Sequence, residues 1–151
     1  MAAFMKKQST GFFLNLIAAI LGLVGIIAAA VCSSMTVTYS LGNMKTIVIL
    51  GICGMVLSCA AICLPNVFGN QDYLGTLAVL GSIAVFTAAF GSVLSERILL
   101  IAGLFSYDAV NTVGWQVFYV TVVSLASFLL AAIIQIIGAF TNSVKTLEEE
   151  K

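Results

Sequence analysis

Charged residues punctuate this chain, and apolar runs fill the intervals between them. Charge-free stretches extend over Gln8–Met44, Thr46–Gln71, Tyr73–Ser95 and Ala109–Val144. Within them the apolar runs predict helices at about Gly11–Val31, Thr46–Leu64, Leu74–Leu94 and Trp115–Phe140. Each has roughly the 20 residues needed to cross a hydrocarbon core of about 30 Å. The fourth run is longer, so it is expected to tilt or to project beyond the core. The predicted fold is an all-α membrane protein, a four-helix transmembrane bundle forming one domain over residues 1–151.

Composition explains why lipid has to be the solvent. The chain has 151 residues, 62% of them hydrophobic and 8% charged, against roughly 25% charged in soluble domains. A small soluble protein exposes a large share of its surface and needs a polar shell. Six basic and six acidic residues cannot make one. Net charge is zero, which points away from a nucleic-acid partner. The absence of histidine excludes His-based metal sites and His general bases. No cofactor is implied. Cys32, Cys53, Cys59 and Cys63 contain no Cys-x-x-Cys pair, and they read as small buried hydrophobes. Cys59 and Cys63 share a helix face, but a metal or redox pair there would need thiolates that apolar surroundings oppose.

The first run follows Lys6 and Lys7 and ends in Ala28-Ala29-Ala30, so a cleaved signal peptide is the competing reading. Signal h-regions are usually about 7–15 residues, shorter than this run, which favours a retained span. With the amino terminus inside, Lys6, Lys7, Lys145 and Lys151 are cytoplasmic while Lys45 and Arg97 are outside. That distribution follows the positive-inside rule and predicts both termini on the cytoplasmic side of the plasma membrane. Aromatic anchors agree, with Tyr39, Tyr107, Trp115 and Tyr119 at the outer boundary and Phe12, Phe13 and Tyr73 at the inner one.

The connections carry their own signals. Pro65-Asn66 is expected to stop the second helix, and Gly69-Asn70 supplies turn chemistry. In the first outer loop Met35, Val37, Tyr39 and Leu41 alternate with Thr36, Thr38 and Ser40, a period of two that signals a strand. In the second, Ile98–Phe105 is too short to span. It reads as an interfacial helix, a re-entrant piece or a second strand. Both loops are expected to form a small outer cap, with short β strands as one version of it. Ile20–Ser34 also aligns without a gap on Val79–Val93, and Thr38–Asn43 resembles Ser106–Asn111. Duplicated hairpins in parallel orientation would give that pattern, and so would chance in segments built from few residue types.

Small residues recur four apart: Ala18 and Gly22, Gly54 and Ser58, Ala84 and Ala88, Ser127 and Ala131. Such spacing lets helix backbones approach closely, within one bundle or against a partner. Asn15 and Gln135 are the amides deep in the predicted spans, and a hydrogen bond between helices one and four is the expected use. A solute or lipid contact is the sharper one. No Asp, Glu, Lys or Arg lies inside any predicted span, although proton-coupled carriers need a titratable group there. Small multidrug carriers are four-span proteins that depend on a glutamate in the first helix, where this chain has Asn15. Four-span thiol oxidoreductases need paired reactive cysteines that are missing here. Claudin-like proteins need a Trp-Gly-Leu-Trp motif and two cysteines in the first outer loop, and Ser33–Lys45 has neither.

Outside the spans, Glu96, Arg97 and Asp108 can gather with Tyr39, Asn43, Tyr107 and Asn111 into a polar cluster. Glu96 and Arg97 are sequence neighbours, which a helix would point apart, so a solvated rim is expected. The stretches Lys6–Leu16, Leu99–Tyr119 and Ile137–Lys145 resemble small four-span membrane proteins of Gram-positive bacteria, and that resemblance implies no activity. The expected function is non-enzymatic: protein or lipid contacts, as an accessory subunit or self-associating scaffold in a homo-oligomer or larger membrane complex. The alternative is a small carrier for a lipophilic or uncharged solute. A third reading, a lipid-modifying enzyme, would rest on Glu96, Arg97 and Asp108.

Overall fold

The computed structural model describes residues 9–68, 73–106 and 110–141. The described residues form four helices: α1 Thr10–Ser34, α2 Met44–Phe68, α3 Tyr73–Ser106 and α4 Thr112–Ala139. All four are long and apolar enough to cross a membrane. Helices adjacent in sequence pack together, and α1 packs on α4 to close the ring. Short connections of this kind make successive helices antiparallel.

Small and polar residues are concentrated on the inward faces, around a few large apolar ones, and the outward faces are large and apolar. On α1 the buried positions include Gly11, Asn15, Ala18, Gly22, Gly25, Ala29 and Cys32, while Ile20, Leu23 and Ile27 are exposed. The inward set advances by four and three residues in alternation, the heptad spacing of left-handed helix packing. On α4 the same alternation runs through Gly114, Val117, Thr121, Ser124, Phe128, Ala131, Gln135 and Gly138. A soluble bundle would reverse this arrangement. Here backbones come close through small residues while the branched side chains meet lipid.

Two aromatic rings fill the centre. Phe86 of α3 and Phe128 of α4 are fully buried, with ring centroids 6.4 Å apart. Glycines make room for both. A Cβ on either Gly22 or Gly54 would lie 2.6 Å from Cε1 of Phe86, and one on Gly25 would lie 2.9 Å from Phe128. Hydroxyls inside the bundle bond within it. Ser124 donates across to the Gly25 carbonyl at 2.9 Å, and Thr121 to the Val117 carbonyl one turn back.

Several expectations change. The described residues contain no strand: Met35–Leu41 is bends and turns. A single strand has no ladder to join, and its expected partner is helical, because α3 continues unbroken through Ile98–Phe105 to Ser106. Nothing in Ser95-Glu96-Arg97-Ile98 breaks a helix. Consequently Glu96 and Arg97 lie within α3, as Lys45 does within α2, and the helices extend beyond the charge-free runs. Pro65 does not end α2, which runs on to Phe68. Cys53, Cys59 and Cys63 are exposed on the apolar outside, and Cys32 alone is buried. The proposed duplication does not preserve environment either. Ala29 is buried where its counterpart Ala88 is exposed, and Ala30 is exposed where Ala89 is buried.

Candidate functional site

The polar residues gather at two levels of the bundle, and the richer set lies where α3 meets the loop between α1 and α2. Glu96 and Arg97 are successive on α3, so they project roughly 100° apart. Glu96 turns toward the start of α2. Its carboxylate accepts from the backbone N–H of Gly42 at 2.8 Å and of Asn43 at 3.2 Å. These groups precede the first turn of α2, where a negative charge also complements the helix dipole.

Arg97 turns inward and is 2% exposed. Its guanidinium donates to the Tyr39 carbonyl at 2.6 Å, and to the carbonyl and Sγ of Cys32 at 3.4 Å each. Its Nε–H is buried without a partner. The expected solvated rim is therefore wrong for Arg97: α3 extends one further face under the loop, and backbone carbonyls there hold the cation out of water. Asn111 completes the set from the start of α4. It accepts from Gly114 N–H as the helix cap and donates to the Tyr39 hydroxyl at 2.7 Å. Of the residues expected to cluster, Tyr39, Asn43, Glu96, Arg97 and Asn111 come together, while Tyr107 and Asp108 lie outside the described residues.

A cleft of about 360 Å³ opens beside this assembly, lined by Tyr39, Glu96, Arg97 and Asn111 together with Leu99, Leu100, Gly103 and Leu104. Next to it an aromatic group joins α3 to α4. Phe105, Trp115 and Phe118 meet edge to face, with centroids 5.2 to 5.7 Å apart. Rings of this kind favour the membrane–water boundary. Arg97 lies 24 residues beyond Tyr73, about 36 Å along the helix, which is past the width of a hydrocarbon core.

The second level lies toward the other end. Gln135 donates to Ser58 Oγ at 2.7 Å, and Ser58 donates in turn to the Gly54 carbonyl. Gln135 thus ties α4 to α2, and the expected bond to Asn15 is not made. Asn15 faces Gly138 instead, where a Cβ would lie 3.4 Å from its Oδ1. The carbonyl oxygens of Asn15 and Gln135 are buried without partners. Among the described residues no group of three His, Cys, Asp or Glu could hold a metal ion.

No known family model, curated protein or solved structure matches the chain. The signal that α3 continues through Arg97 was present in the run from Leu94 to Ala102, which holds no Gly, Pro, Asn or Asp; the inward direction of Arg97 was not.

Proposed function

We propose that the chain is a four-span protein of the cytoplasmic membrane that works through protein and lipid contacts, as an accessory subunit or self-associating scaffold. Lysine placement supports both termini on the cytoplasmic side, which sets the Arg97 end outside and makes loop 35–43 with the end of α3 an outer cap. The resemblance to small four-span proteins of Gram-positive bacteria fits the same setting.

One observation carries the contact reading. The small pairs Ala18/Gly22, Gly54/Ser58 and Ser127/Ala131 are used inside the bundle, whereas Ala84 and Ala88 face outward. Ala88 lines a groove of about 520 Å³ with Gly91, Ser92, Ser95 and Glu96 of α3 and with Asn43 and Thr46 at the start of α2, and around a Cβ on Gly91 there is open space. A second helix approaches closely on such a face. The filled centre between Phe86 and Phe128 weighs in the same direction, against passage through the bundle.

Mass measurement after purification in mild detergent tests this reading. The protein is expected as an oligomer or with a co-purifying partner, and Ala88→Leu with Gly91→Leu is expected to release the monomer. A strictly monomeric wild type without any co-purifying protein or lipid would sink it. The alternative carrier reading is favoured by the unpartnered oxygens of Asn15 and Gln135. Solute flux into proteoliposomes is its test, and full transport by Asn15→Leu removes its site.

A further inference from the structure

The cleft beside Arg97 deepens the lipid half of the reading above and rests on it. We propose that this cleft binds a phosphate-bearing anion, the headgroup of an anionic phospholipid, with Arg97 as the residue that holds it.

The first support is the charge itself. Arg97 is 2% exposed, and a buried cation is costly unless an anion compensates it. Its partners, the carbonyls of Tyr39 and Cys32 and the Cys32 sulfur, are all neutral acceptors. The neighbouring carboxylate of Glu96 is occupied by the N–H groups of Gly42 and Asn43. Among the described residues the cation has no anion bonded to it.

The second support is the unused donor. The Arg97 Nε–H is buried and without a partner, and both bonds from Nη2 are long at 3.4 Å. The Nε and Nη2 groups share one edge of the guanidinium fork, and that planar edge matches two oxygens of a phosphate.

The third is the shape and depth of the cleft. Thr38, Ser40 and Glu96 line it with Arg97, the Glu96 carboxylate being held by the Gly42 and Asn43 N–H groups, and Leu99, Leu100 and Leu104 give it an apolar lining. Leu99 is 83% exposed, so the apolar wall continues onto the lipid-facing surface where acyl chains run. Arg97 lies eight residues before Phe105 on α3, about 12 Å along the helix, so a phosphate meets it below the level of the Phe105–Trp115 pair. A diacyl phosphate spans all three features at once.

Thermal unfolding of the full chain tests the proposal, after delipidation in a neutral maltoside detergent. Dioleoylphosphatidylglycerol is expected to raise Tm saturably, while dioleoylphosphatidylcholine does not. Arg97→Gln is expected to weaken the apparent affinity for phosphatidylglycerol at least tenfold. Gly103→Phe is the second variant, because Gly103 lines the cleft and open space surrounds a Cβ there; it narrows the cleft while retaining the Arg97 side chain and decides alone if Arg97→Gln does not fold. Glycerol 3-phosphate separates the sources. Stabilisation by it equal to that of phosphatidylglycerol keeps the phosphate site and assigns it to a soluble ester. Equal stabilisation by the two lipids, or unchanged phosphatidylglycerol binding by Gly103→Phe, overturns the proposal. Self-association is read from mass in the lipid-free sample, so either reading can fail without the other.

Discussion

The Arg97 guanidinium donates to the carbonyl oxygen of Tyr39 at 2.6 Å, joining residues 58 apart in sequence. Its neighbour Glu96 holds the same loop further along, at Gly42 and Asn43. Asn111 reaches the Tyr39 hydroxyl from α4, and Ser33 accepts from Leu41 N–H at 2.9 Å. Loop 35–43 thus takes its shape from side chains of three helices rather than from a ladder of its own. One pair of adjacent residues serves two tasks because a helix separates their directions.

Glu96 should behave as a helix cap supplied from a distant part of the chain. Glu96→Ala leaves the N–H groups of Gly42 and Asn43 without their acceptors and is expected to cost about 1 kcal/mol, the usual loss on removing a cap. Glu96→Gln keeps one acceptor oxygen and should cost roughly half as much. Denaturation in mixed micelles of rising dodecyl sulfate content measures both. Equal losses for the two variants would show that the carboxylate acts by charge rather than by accepting these bonds.

The glycine notches make opposite predictions at different sites. Gly22→Ala or Gly54→Ala puts a methyl group 2.6 Å from the same atom of the buried Phe86 ring, and overpacking of this kind costs about 1–3 kcal/mol. Phe86→Leu should relieve part of that cost, giving a coupling that a double-mutant cycle reads directly. Gly103→Ala meets nothing within 4 Å. It is expected to be neutral or stabilising by up to about 1 kcal/mol, since alanine outranks glycine in a helix. Similar losses at all three positions would refute the notch account.

Helix count and type were legible because long charge-free runs leave few alternatives in lipid. Helix ends were less so. At Ile98–Phe105 charge at Glu96-Arg97 was read as a boundary, although a helix carries those residues when a neighbouring loop satisfies them. The heptad through Gly11, Asn15, Ala18, Gly22, Gly25, Ala29 and Cys32 was visible in the letters. It marks the inward face by residue size, since hydrophobicity hardly varies around a helix surrounded by lipid. The cluster around Tyr39, Asn43, Glu96 and Asn111 could be guessed from polarity alone. The inward turn of Arg97 could not, because it depends on loop 35–43 folding over the end of α3.

Sidedness is checked by single cysteines on a background in which Cys32, Cys53, Cys59 and Cys63 are replaced by serine or alanine. Val37 is 93% exposed and Val110 is 91% exposed, both at the Arg97 end. Val37→Cys and Val110→Cys are expected to react with a membrane-impermeant maleimide on intact cells. Thr141→Cys, beyond the end of α4, should react only after permeabilisation. The reverse pattern would invert the topology and turn the Arg97 cleft toward the cytoplasm.

The bond from Gln135 to Ser58 predicts an asymmetry that distinguishes packing from ligand binding. Ser58→Ala removes the acceptor and leaves a buried amide N–H unpaired, so it should cost about 1–2 kcal/mol. Gln135→Leu removes the donor together with its unpartnered Oε1, and Ser58 keeps its own bond to the Gly54 carbonyl at 2.9 Å. That variant should be close to neutral, and adding Ser58→Ala to it should cost little more. The interhelical bond itself is worth only about 0.6 kcal/mol on average in a membrane, so the penalty lies in stranding a partner rather than in losing the contact. Unfolding free energies of the two single variants and the double variant in one detergent provide the comparison. If Gln135→Leu is the more damaging single change, the amide is holding something that Ser58 alone does not account for, and the carrier reading gains its first direct support.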